Sequence, residues 1–147
     1  MAQILFGSDP TPANGDLDAN FTELYNKTAW STSGIGYATG AGGAMTQLTS
    51  KGTAVTLNKA SGQITMHNAA LAGGATVAFV FNNSFIASTD QVLVSFQGGS
   101  AGNITTYSCR AGLYSAGSCQ IALKNETGGS LSEAVVLNFL VIKGVTA

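Results

Sequence analysis

From Ala44 onward, apolar residues recur at every second position in short runs, each closed by Gly, Ser, Asn or Ala. Successive side chains of a strand point to opposite faces, so a period of two marks strands with one face turned inward. The spacing predicts strands at 44–49, 53–57, 62–67, 75–82, 91–97, 103–109, 118–124 and 133–143. Val77, Phe79 and Phe81 then share one face, as do Val92, Val94 and Phe96, and Val135, Leu137, Phe139 and Val141. The last run is apolar on its other face too, where Val136, Leu140 and Ile142 interleave with Asn138, so it should be central or covered on both sides. About eight short, regularly spaced strands predict an all-β fold, a β-sandwich or jelly roll. Its exposed edges invite pairing with other chains.

One stretch breaks this rhythm. Residues 1–13 read as an extended arm with Pro10 and Pro12, and Asn14-Gly15 is a turn signal. In 16–27, Leu17, Phe21, Leu24 and Tyr25 fall on one face of an amphipathic helix. Asp16 is a natural N-cap, and Asp18 lies in the first turn, where the helix dipole favours a negative charge. About three turns are marginal alone in water, so the apolar stripe must rest on the β domain, a second copy or a larger assembly. Trp30 closes the region and can anchor it. A Gly-rich joint at 31–43 follows, so the chain divides into an arm and helix (1–30), a joint (31–43) and a β domain (44–147).

Charge narrows the partners. Only 6 Lys and Arg face 7 Asp and Glu among 147 residues, 9% of the chain, against about 25% in an average soluble protein. Gly, Ala, Ser and Thr make up 70 of the 147. A hydrophobic fraction of 45% argues against disorder. Nucleic acid is excluded as a main ligand, because six scattered basic residues make no surface for displacing counterions. No apolar run reaches the length of a membrane span. With neither a basic n-region nor a long apolar stretch at its start, the chain is expected to stay in the cytoplasm where it is made. So little charge is unusual for a soluble monomer and predicts surface hidden against copies of itself or another assembly.

Motifs for catalysis are weak. Gly98-Gly99-Ser100-Ala101-Gly102 matches the hydrolase G-x-S-x-G pattern, but it joins two strands, with no helix to form an elbow. His67 precedes the serine, and Asp90 would have to complete a triad. The acids form no paired motif for glycoside chemistry. Gly40-Ala41-Gly42-Gly43 lacks the Lys-Ser/Thr ending of a phosphate loop. Asn-x-Ser/Thr runs such as Asn125-Glu126-Thr127 reflect the abundance of those residues. The expectation is therefore no enzyme, no cofactor and no metal, since two thiols and one histidine are too few for a closed zinc site. Cys109 and Cys119 flank Tyr114 in an expected hairpin. They read either as two reduced, buried thiols or as a disulfide pair formed after cell lysis.

The stretch Gly15-Asp-Leu-Asp-Ala-Asn-Phe-Thr-Glu-Leu-Tyr25 resembles the opening of tailed-bacteriophage fibre and virion proteins. The remainder is similar to a β domain of phage and prophage structural proteins, from Gly36-Tyr-Ala-Thr-Gly-Ala-Gly-Gly43 through Gly62-Gln-Ile-Thr-Met66 to Gly129-Ser-Leu-Ser-Glu-Ala-Val-Val136 and Val141-Ile-Lys-Gly144. The resemblance implies a homotrimeric virion component, made in the host cytoplasm and bound to phage capsid or tail proteins. It fits a capsid decoration or a short head or tail fibre, because only the joint at 31–43 stands where a long shaft would. Leu17, Phe21, Leu24, Tyr25 and Trp30 are then the anchoring or oligomer-interface residues. The alternative is a module binding host-surface glycan at the tip of a fibre, through loops 98–103 and 110–117 on a rigid scaffold.

Overall fold

Eight strands form two four-stranded sheets in the computed structural model, which describes Tyr37, residues 40–98 and residues 100–145. The strands are β1 (Gly42–Thr46), β2 (Val55–Thr56), β3 (Ser61–Thr65), β4 (Thr76–Asn82), β5 (Gln91–Phe96), β6 (Tyr107–Ser115), β7 (Ser118–Asn125) and β8 (Val136–Ile142). Their order is β1-β3-β8-β5 in one sheet and β2-β4-β7-β6 in the other. The fold is all-β, and no helix occurs among the described residues. The expected arm and helix, with Leu17, Phe21, Leu24, Tyr25 and Trp30, lie outside the described residues.

Alternation builds the core as the period of two predicts. Phe79 and Phe81 of β4, Ile121 and Leu123 of β7, Ile64 of β3, and Leu137, Phe139 and Val141 of β8 are all buried in one cluster. Phe81 and Phe139 bridge the two sheets edge to face, with ring centroids 4.8 Å apart. β8 is central, paired antiparallel to both β3 and β5, as its two apolar faces require. Two edge pairings are parallel, β1 with β3 and β2 with β4. The β1–β3 pairing depends on Gly62, where a Cβ would run into the carbonyl oxygen of Gly43. β1 takes in Gly42 and Gly43, the last two residues of the expected joint.

Both ends of β6 depart furthest from expectation, while the other boundaries shift by three residues or fewer. β6 starts at Tyr107 rather than at residue 103, because Asn103 Oδ1 accepts from the Thr105 backbone N–H at 3.1 Å and curls 103–106 into a turn. The segment 110–117 is largely strand rather than loop. β6 runs on to Ser115 through a bulge at Leu113, which takes φ 51°, and the hairpin turns at Ala116-Gly117, with Gly117 at φ 82°.

That register also corrects the cysteine pairing. Cys109 lies opposite Leu123, while Cys119 lies opposite Phe81 of β4. Four residues of β7 separate Leu123 from Cys119, about 13 Å at the rise of a strand. A disulfide needs its Cα atoms within about 7 Å. Both thiols are free. Burial pushes Cys119 up to about 11 and raises Cys109 as well. Ellman's reagent at pH 8 should therefore react slowly with the folded protein, Cys109 ahead of Cys119, and fast with both in denaturant. Rapid labelling of Cys119 in the folded state would contradict this burial.

Candidate functional site

The residues of the hydrolase pattern do not converge. Ser100 Oγ donates to the Gln97 carbonyl at 2.9 Å and accepts from the Val136 N–H at 3.1 Å, so it staples the β5–β6 loop to the start of β8. His67 Nδ1 accepts from the Ala69 N–H at 2.9 Å. Asp90 accepts from the Ala87 and Gly144 N–H groups at 2.8 and 3.0 Å and pairs with Lys143. None of the three bonds to another. Among the described residues no three of His, Cys, Asp and Glu gather as a metal would need.

Two polar clusters tie the loops. Lys51 is only 3% exposed, yet its Nζ donates to the His67 carbonyl at 2.5 Å and the Glu133 carbonyl at 2.7 Å. Gln47 completes the knot. Its Nε2 donates to the Lys51 and Thr53 carbonyls at 3.1 and 2.8 Å, and its Oε1 accepts from the His67 N–H at 3.1 Å. Tyr107 donates its hydroxyl to Glu133 Oε2 at 2.6 Å. Burial lowers the Lys51 ammonium from its ordinary value, partly offset by Glu133. The Tyr107 hydrogen bond holds Glu133 low, and burial raises Tyr107. Every buried side-chain polar atom among the described residues has a partner, so this cluster fastens loops and offers no free reactive group.

Asp90 is the second fastener. The Lys143 hydrogen bond and backbone N–H donors pull its carboxyl down to about 2. An unfolded Asp titrates near about 3.9, so between those values the unfolded chain binds more protons. The pair's stabilisation is complete above about pH 5 and is lost as pH falls through 2. Urea midpoints of the wild type and Asp90→Asn should differ most at pH 5 and above and converge near pH 2. A constant difference across that range would rule out the ion pair as its source.

The sheet exteriors differ in charge. On the β2-β4-β7-β6 sheet, Arg110 and Lys124 face outward, and Lys124 pairs with Glu126 at 2.5 Å. Arg110 borders a shallow depression of 360 Å³ with Gln120 and Leu113, floored by Ala78, Ala122 and Gly112. No hydrogen bond or ion pair joins Arg110 to the other described residues. The exterior of the β1-β3-β8-β5 sheet presents Gly42, Ala44 and Thr46 from β1 and Ser61, Gln63 and Thr65 from β3. β8 adds Val136, Asn138, Leu140 and Ile142, and β5 adds Gln91, Leu93 and Ser95. None of these is charged. Leu93 and Leu140 are cross-strand partners, and Leu93 is 56% and Ile142 45% exposed. Gln63 Nε2 donates to Asn138 Oδ1 at 3.1 Å across this surface.

No protein-family model, curated protein or solved structure matches this chain. The sheet surfaces themselves are then the ground for a functional reading. Among the residues singled out from sequence, Cys109 and Cys119 stand apart within the β6–β7 region. Loop 98–103 is a loop as expected and shapes a second depression of 240 Å³ with Phe96 and Ile104. The uncharged exterior was half visible in sequence, through the doubly apolar run of β8. The Lys51 knot left no signal, because its acceptors lie 16 and 82 residues away.

Proposed function

We propose that this chain is a structural subunit of a bacteriophage particle, a homotrimeric capsid decoration or short head or tail fibre. Residues 1–30 would bind the particle, and the β unit would stand as a β-sandwich knob. The observation that carries the reading is the uncharged exterior of the β1-β3-β8-β5 sheet, with Leu93 and Ile142 exposed on it. Exposed apolar surface without charge marks a contact site. The scarcity of charge over the whole chain and the resemblance of its opening stretch to virion proteins support the same reading. Burying that surface stabilises association by about 25 cal/mol per Å² before the cost of association, and many copies on one particle add avidity. No catalyst is required.

The test has two arms, light scattering on the purified full chain and protein composition of purified particles. The expected results are a mass of about 44 kDa, three times 14.8 kDa, and the chain present in particles. A monomer that is also missing from particles sinks the reading.

A second reading, binding of host-surface glycan, draws support from Arg110 beside its depression. An anionic sugar would present a carboxylate to Arg110 and hydroxyls to Gln120. Loss of binding on a glycan array with Arg110→Ala supports it, and silence of the wild type across the array removes it.

A further inference from the structure

We propose that the outer face of the β2-β4-β7-β6 sheet binds an acidic saccharide that carries its carboxylate on every second sugar. The inference rests on the glycan reading above and deepens it, by naming the groove and the spacing of charge that the groove selects. Ala78 of β4 and Arg110 of β6 are both register partners of Ala122 on β7. The two alanines make a low row across the strands, with Arg110 at its β6 end. Rows of larger side chains flank it, Thr76, Lys124 and Ser108 on one side and Gln120 on the other. The depression of 360 Å³ lies toward Gln120, and another of 160 Å³ lies toward Lys124. Ala122 and Arg110 line both, so the two are halves of one trough. The larger half alone falls within the usual volume of a small-ligand site, about 300–1,000 Å³.

Charge selects the ligand. The planar fork of Arg110, which pairs with none of the other described residues, can donate two parallel hydrogen bonds to a carboxylate. Lys124 is different. Glu126 Oε2 holds it at 2.5 Å, and Glu126 Oε1 accepts from Ser108 Oγ at 2.6 Å. The Lys124 side of the trough therefore carries no net charge, and the Glu126 carboxylate repels a second anion there. A chain with an acid on every ring sets one of them against Glu126. A chain with acids on alternate rings places a neutral ring there instead. The floor favours a sugar over a peptide. Ala78 and Ala122 present only methyl groups, which suit the C–H face of a pyranose ring, while Gln120 and Thr76 at the rims can bond its hydroxyls. A peptide would bring a backbone donor and acceptor at every residue, and the strands under this floor already pair theirs with each other.

The experiment is an amide chemical-shift titration of the full chain with a hyaluronan tetrasaccharide, in which glucuronate alternates with N-acetylglucosamine. Neutral chitotetraose, fully acidic tetragalacturonate and the peptide tetraglutamate are titrated beside it. The expected result is saturable shifts at Ala78, Arg110 and Ala122 with hyaluronan, and binding of the other three weaker by about tenfold or more. Arg110→Ala should weaken hyaluronan binding by about tenfold or more. Ala122→Leu, which fills the floor, should abolish it, and Glu126→Gln should bring tetragalacturonate close to hyaluronan. The same spectra show whether each variant is folded, and the map of wild-type shifts decides the site if one is not. Hyaluronan shifts that fall elsewhere and survive Arg110→Ala would overturn this groove and leave the glycan reading standing. Equal binding of tetragalacturonate by the wild type would overturn the charge spacing. Tighter binding of tetraglutamate would give the groove to an acidic peptide instead. No shift with any of the oligosaccharides would overturn the glycan reading and the groove together.

Discussion

Phe81→Ala is expected to destabilise the β unit by about 3–5 kcal/mol, the usual cost of emptying a buried aromatic site. Phe81 is fully buried and meets Phe139 edge to face, so its ring joins the two sheets. For a unit of this size roughly 4 °C of melting midpoint accompanies each kcal/mol, which puts the fall at about 12–20 °C by calorimetry. A cycle with Phe139→Leu isolates the ring contact, worth about 0.5–1.5 kcal/mol beyond area. A loss below about 1 kcal/mol for Phe81→Ala would mean that the sheets are held together elsewhere.

Lys51→Met should come next, at about 2–4 kcal/mol. Methionine keeps the length of the stem but leaves the His67 and Glu133 carbonyls without their donor. Each buried acceptor stranded in this way costs about 1–3 kcal/mol. The lower end applies at Glu133, which is exposed enough for water to replace the ammonium. Urea unfolding measures the loss. Glu133→Gln keeps the carbonyl and removes only the side-chain charge, so it should cost far less. Equal losses would assign the effect to the ion pair with the carboxylate instead of the backbone acceptors.

Much of this fold was legible in the chain, for one physical reason. Strand alternation survives whatever the long-range pairing is, so all eight strands were visible, and so was the central position of β8. The misplaced start of β6 shows where that signal fails. Asn103-Ile-Thr-Thr106 has the β-branched composition of a strand, yet Asn103 and Thr106 side chains bond nearby backbone groups and make a turn. The stretch 110–117 reads as a loop because Gly112, Ser115 and Gly117 are turn formers, while Leu113 in a left-handed conformation lets the strand continue. The candidate interface was legible only as the extra apolar face of β8. Leu93 and Ala44 join that surface through pairings that link β5 and β1 to strands far away in sequence. Burial of Lys51 leaves no local mark, because nothing in the neighbouring sequence tells a buried ammonium from a solvated one.

The strand order has a consequence for the nascent chain. β3 and β5 both pair with β8, which leaves the ribosome after the other seven described strands. Until it arrives, the β1–β3 ribbon and β5 have no common neighbour, and half of the core waits open. The other sheet can assemble from β2, β4, β6 and β7 while synthesis continues. A ribosome that stops short of Val136 therefore releases a chain with one finished layer and one that cannot close. Synthesis of β8 is what lets this second layer close.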